Sequence, residues 1–182
     1  MGRVLKQVAP LCAETLIVTR HITEFLEFNV KIVRDLIPGQ GPIGGLATGL
    51  FYARRPWALV VACDLPFLHQ SVLSYLIRKA LLLPRGPRAL VPRSELGWQP
   101  LIALYSRDCL HPARKLLALG GRKLDDLSAH GVIWHPIDSD ELKVADYNLD
   151  SFININTPED LAKADRRLNQ EQGKDGSHHS DL

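Results

Sequence analysis

"VKIVRDLIPGQGPIGGLATGLFYARRPWALVVACD", residues 30–64, carries two short strand-like runs separated by a glycine-rich stretch. The first run, VKIVRD, and the second, WALVVAC, have the length and β-branched content of strands, and the glycines lead into a helix predicted over residues 43–54. WALVVAC is apolar at every position up to Asp64. A half-exposed strand would alternate, so this one is predicted to be covered on both faces, as in a mostly parallel sheet packed between helices. In such folds ligands bind beyond the carboxyl ends of the strands. Three loops meet that condition: Thr19-Arg20-His21, residues 35–45, and Asp64-Leu65-Pro66.

The glycines have a tempting reading as a dinucleotide fingerprint, because Gly39, Gly41 and Gly44 fit G-x-G-x-x-G and Asp64 follows Gly44 by twenty positions. That fingerprint needs the strand to run straight into the first glycine, so that the turn is tight and the next helix aims at the pyrophosphate. Here Asp35-Leu36-Ile37-Pro38 intervene. Pro38 offers no N–H and restricts its predecessor, so the chain leaves the strand before Gly39 and travels as a loop. A plainer alternative, glycines serving only a helix-packing turn, stays open.

Outward from this unit the same rhythm continues. Val4, Leu5, Val8 and Leu11 form a helical stripe, ETLIVT reads as a strand and TEFLEF as a short helix. Later come a helix at QSVLSYLIRKALLL, strands at RALVPR and LIAL, helices over residues 108–119 and 122–129, and a strand at GVIWHPI. Thr157-Pro158-Glu159-Asp160 is a helix start with an N-cap threonine, proline at the first turn and a capping-box carboxylate, predicted to run to Leu168. One domain over residues 1–168 is expected. The polar stretch 169–182 is expected to be a disordered tail, its His178-His179 pair solvated.

The 182 residues, 46% hydrophobic and 23% charged, suffice for one sizeable core. A net charge of +2 without a dense basic run argues against nucleic acid as a partner. Cys12, Cys63 and Cys109 are isolated and lack metal-ligand spacing, which suits a reducing cytoplasm, and no apolar run reaches the length of a membrane span. His21, His69, His111 and His130 show no partner spacing and are read as surface residues.

The stretches VRDLIPGQGPIGGLATGL, WALVVACDLPFL, QPLIALY, GGRKLDDL and FININTPEDLAKAD, in this order, resemble the molybdenum cofactor guanylyltransferase family. The resemblance covers residues 4–168. It implies a three-layer Rossmann-like nucleotidyltransferase fold with a mostly parallel sheet. The implied reaction transfers GMP from GTP to molybdopterin bearing molybdenum, with Mg2+ as cofactor. Molybdoenzymes or cofactor-synthesis proteins would be partners. The family opens with a strand and a phosphate-wrapping loop, LxGGxSxRMGxDK, that have no counterpart in this sequence, and the strand is central in the family's sheet. Its absence is expected to leave ladder hydrogen bonds and an apolar face uncovered, so that the chain is poorly stable, sticky, or completed by another segment. Two alternatives stand beside the main reading: a relative using CTP or a sugar phosphate, and a non-catalytic binder of molybdopterin or a partner enzyme.

Carried over position by position, the resemblance makes Asp64 the catalytic, nucleotide-binding magnesium ligand, with an Asx-turn carboxylate as its bland counterpart. Asp35 falls on a guanine-nucleotide position, or is an ordinary loop-starting aspartate. Gly41, Gly44 and Gly45 let the backbone pass close under the nucleotide. Thr19 stands where the family often has a nucleotide-contacting asparagine. Asn154 and Asn156 fall on the site-proximal strand, Asn156 as a further metal ligand, or else they cap the following helix. Gln99, with Pro100, and Arg122, Lys123 and Asn154 are placed on the acceptor side, with solvated surface charge as the alternative for Arg122 and Lys123.

Overall fold

The structure, a computed structural model, describes residues 1–95, 97–155 and 157–175. Its elements in chain order are α1 (Gly2–Val8), β1 (Leu16–Thr19), β2 (Lys31–Arg34), α2 (Gly41–Tyr52), β3 (Trp57–Val61), α3 (Gln70–Ala80) and β4 (Arg88–Ser94). After these come β5 (Gly97–Trp98), β6 (Ile102–Ser106), α4 (Leu110–Ala118), β7 (Ile133–Asp138), α5 (Ser139–Leu142) and α6 (Pro158–Asp175). Short 3-10 turns replace two of the expected helices, at Ile22–Phe25 and Asp125–His130.

The strands form two sheets. β1 and β2 pair in parallel, Val18 opposite Val33. The larger sheet has the order β3-β6-β4-β5, with β7 also paired to β4. β4 and β7 are parallel, Leu90 opposite His135, whereas β6 runs antiparallel between β3 and β4. The mostly parallel sheet of the sequence reading is thus a mixed one: LIALY is apolar throughout, and an all-apolar run records burial without recording direction.

Side chains alternate across the larger sheet into two cores. Leu90, Ile102 and Leu104 join α1 and α3 through Val4, Val8, Val72, Leu73 and Leu76. Ala89, Val91, Ala103 and Tyr105 join α2 and α4 through Ile43, Leu46, Leu50 and Leu116. These are the three layers expected. At about 25 cal/mol per Å2 of apolar area, such burial on both faces is the main force holding the sheet.

β3 is different. All five of its residues are only half-buried, although the sequence WALVV is fully apolar. Among the described residues β3 pairs only with β6 and β1 only with β2, so each sheet ends in an unpaired edge. α2 packs on both β1 and β3 and bridges them. β3 thus combines a half-buried apolar sequence with an edge that no described strand pairs.

At the C-terminal end, the Thr157 hydroxyl accepts from the Asp160 N–H and the Asp160 carboxylate accepts from the Thr157 N–H, both at 3.1 Å, which is the capping box expected. The helix does not stop at Leu168. It continues to Asp175 through a stretch the sequence reading gave to a disordered tail. Polarity misled there, because Asn-Gln-Glu-Gln gives no apolar stripe yet contains good helix formers. Residues 176–182, with the His178-His179 pair, lie outside the described residues.

Candidate functional site

The carboxyl ends of β3, β4 and β7 share one edge, since β6 is antiparallel to both β3 and β4 and β7 is parallel to β4. α2 runs from the carboxyl end of β2 back to the amino end of β3, which brings the end of β2 to the same edge. The loops at Asp35 and Asp64 therefore open on one side of the molecule.

Asp64 lies three residues beyond β3 and is half-buried. Its backbone carbonyl accepts the Ile155 N–H at 2.9 Å, so the segment carrying Asn154 is drawn alongside it. Its side chain is not an Asx-turn cap: Oδ1 is fully buried and has no hydrogen-bond partner. A buried carboxylate oxygen without a donor is costly unless a cation or ligand faces it. Among the described residues no cluster of three or more His, Cys, Asp and Glu could hold a metal. A single carboxylate fits Mg2+, which keeps several waters and takes its remaining ligands from substrate phosphates. Asn156, the other expected ligand, lies outside the described residues, and the Asn154 side chain is exposed.

Thr19 and Asp35, two of the residues expected on the nucleotide side, come together. Thr19 and Asp35 touch through a 2.9 Å bond from the Asp35 N–H to the Thr19 carbonyl, and the Thr19 hydroxyl accepts the His21 N–H at 3.1 Å. Asp35 Oδ1 accepts from the Ile37 N–H at 3.0 Å and from the Thr48 hydroxyl at 3.1 Å, while Thr48 Oγ1 accepts the Leu36 N–H at 3.1 Å. The aspartate does start its loop, and that role occupies one oxygen. Oδ2 accepts no hydrogen bond from the described residues. Thr48, 1% exposed on α2, locks this corner and was missed in the sequence, where its signal was a polar residue on an otherwise apolar helix face.

The three glycines divide their labour. Gly41 opens α2 at φ +64°, a conformation that disfavours any other residue, and an added Cβ would lie 3.5 Å from the Arg122 carbonyl oxygen. A Cβ at Gly44 would stand 3.0 Å from the Ile37 carbonyl oxygen, too close for backbone to yield cheaply. At Gly45 an added Cβ would meet nothing within 4 Å. Gly44 packs tightly against the loop that carries Asp35; Gly45 borders open space in front of the helix.

Of the residues expected on the acceptor side, Gln99 donates from Nε2 to Ser94 Oγ at 2.9 Å, fixing the end of β4, and the Pro100 carbonyl accepts from the Tyr105 hydroxyl at 2.9 Å. Arg122 is brought to Gly41, on the glycine-loop side, and its side chain and that of Lys123 are exposed. A surface depression of about 730 Å3 lined by Arg107, His111, Arg114 and Lys115 starts where β6 ends, at the opposite edge from Asp64. It has no part in this site.

The profile of the MobA-like NTP transferase domain matches residues 1–132. The chain is 32% identical over 168 residues to the molybdenum cofactor guanylyltransferase of Desulfosudis oleivorans, covering 92% of the chain and 81% of that protein. It is 33% identical over 111 residues to a probable molybdenum cofactor guanylyltransferase of Clostridium perfringens, a match spanning 61% of the chain and about half, 54%, of the relative. Among solved structures, molybdopterin-guanine dinucleotide biosynthesis protein A from Archaeoglobus fulgidus superposes with a TM-score of 0.75 at 29% identity, covering 93% of this chain and 85% of that one.

Proposed function

The chain belongs to the MobA-like NTP transferase domain family, and from that premise we propose that it transfers GMP from GTP to molybdopterin-bound molybdenum cofactor, releasing pyrophosphate. The observation that carries the proposal is the buried, unpartnered Oδ1 of Asp64 at the carboxyl edge of β3. In the reaction an oxygen of the acceptor's terminal phosphate forms a bond to the α-phosphorus of GTP as the bond from that phosphorus to the β-phosphate bridging oxygen breaks. No protein atom is transferred, so catalysis is positioning and charge neutralisation.

Asp64 would hold Mg2+, whose charge would offset that developing on the phosphoryl oxygens. Asp35, anchored through Oδ1, presents Oδ2 to hydroxyl or N–H donors of the nucleoside. The open face at Gly45 lets the nucleotide lie against the start of α2. Thr19, fixed to Asp35 through its carbonyl, closes the same corner.

Asp64→Asn should lower pyrophosphate release from GTP in the presence of acceptor by a factor of about a hundred or more, with a thermal melt unchanged or raised, because Oδ1 has no protein bond to lose and its buried charge is removed. Undiminished turnover would remove the metal assignment. Turnover with CTP in place of GTP would move the base preference and leave the rest standing.

A further inference from the structure

The edge of the larger sheet opposite Asp64 gathers positive charge from three parts of the chain. Arg107 follows β6, and its N–H bonds the Pro56 carbonyl at 2.7 Å, beside Arg54 and Arg55 at the entry to β3. Asp108 Oδ2 accepts the Gly86 N–H at 3.1 Å, which brings Arg85, just before β4, to the same place. All four arginines are exposed. From Arg107 the chain turns into α4, where His111, Arg114 and Lys115 carry the charge onward as the lining of the depression of about 730 Å3.

His111, Arg114 and Lys115 stand four, seven and eight positions beyond Arg107. On a helix that is one face, where alternating signs would stabilise and like charges repel. Among the described residues no ion pair joins any of these arginines or Lys115 to an acid. The carboxylates at this edge bind backbone instead: Asp108 holds Gly86, and Glu14 Oε1 accepts the Arg54 backbone N–H at 2.7 Å. The whole chain is nearly neutral at +2, so the cluster is a local excess and not a general basicity of the surface.

Apolar groups border the cluster. α3 ends at this edge, and Leu81 and Leu82, just past it and close before Arg85, are 67% and 82% exposed. A nucleic acid backbone is held through its phosphates and gains little from leucines. Exposed apolar side chains beside arginines are the makeup of protein interfaces.

We propose that this edge docks an acidic, amphipathic helix of a partner protein, whose carboxylates meet Arg107, Arg114 and Lys115 and whose apolar side chains cover Leu81 and Leu82. The stripe from Arg107 to Lys115 is about 12 Å long at helical rise, enough for two turns of a helix laid against it. Because Asp64 opens on the other edge, docking here leaves the nucleotide side free. The assignment is independent of the transfer reaction proposed above.

The full chain would be titrated with a fluorescent peptide of about fifteen residues, glutamate on one helical face and leucine on the other, and separately with a DNA oligonucleotide of matching charge. The peptide should bind, and more weakly as salt rises from about 0.05 to about 0.5 M. Arg107→Glu combined with Arg114→Glu should weaken it about tenfold or more, and Leu82→Ser about threefold. Arg20→Glu combined with Arg34→Glu, the same reversal on exposed residues at the ends of β1 and β2, should stay within about twofold. Thermal melts of the variants should match that of the unaltered chain, since every substituted side chain is exposed. Absence of peptide binding at low salt, equal losses from the two pairs of reversals, or indifference to Leu82→Ser overturns the docking surface. Tighter binding of the oligonucleotide than of the peptide, lost on reversal of Arg107 and Arg114, also overturns it by giving the edge to nucleic acid.

Discussion

Gly44 and Gly45 stand side by side at the start of α2, and a methyl group would meet very different surroundings at each. Gly44→Ala places Cβ 3.0 Å from the Ile37 carbonyl oxygen, so the loop bearing Asp35 must shift. A loss of about 1–3 kcal/mol in a urea melt is expected, the usual scale of overpacking. Gly45→Ala meets nothing within 4 Å. It should leave the melt unchanged or raise stability by up to about 1 kcal/mol through helix propensity, and its effect should fall on the KM for nucleotide. If both variants melt alike and neither changes KM, the division of labour between these glycines is wrong. Asp35 and Asp64 could be found in the sequence because each ends a strand-like run. Thr48 could not, since its bond to Asp35 exists only after the chain has turned back into α2.

Between β4 and β7 the pairing is reinforced by a side-chain bridge, Arg88 Nη1 to His135 Nε2 at 3.2 Å. The guanidinium can only donate, so His135 must accept with an unprotonated Nε2. Burial, and secondarily the charge of Arg88, hold its pKa below the ordinary 6.5. The unfolded chain takes up this proton near pH 6.5 while the folded one resists. The bridge's contribution is therefore complete above that pH and is lost as pH falls toward the lower folded value. Replacing His135 by Gln should flatten the decline in urea midpoint between pH 7.5 and 5.5; an unaltered slope would show that the bridge is not what titrates. Elements were legible wherever burial imposes a period, as in α2, α3, β3, β4 and β7. Those outside the reading have few residues or no period: two-residue β5, one-turn α5, the polar extension of α6.

Over the whole molecule, stability is distributed unevenly. β4 is paired on both sides, by β6 and by β7, whereas β3 and β1 each have one partner. Hydrogen exchange should be slowest in β4. Every second amide of β3, aimed away from β6, should exchange near the rate of an open chain. Uniform protection of β3, equal to that of β4, would mean that its free edge is closed by another strand. The three-layer architecture was legible because continuous apolar strands leave few other arrangements, but the division into two sheets depends on which edges meet, and no local pattern encodes that. One link also sets an order in time. The carbonyl of Asp64 is held by the N–H of Ile155, so the carboxylate and the wall beside it come from widely separated parts of the chain. Emerging from the ribosome at roughly 5–20 residues per second, the chain exposes Asp64 seconds before its partner exists. The nascent protein must carry that carbonyl without its hydrogen-bond partner until Ile155 has been made.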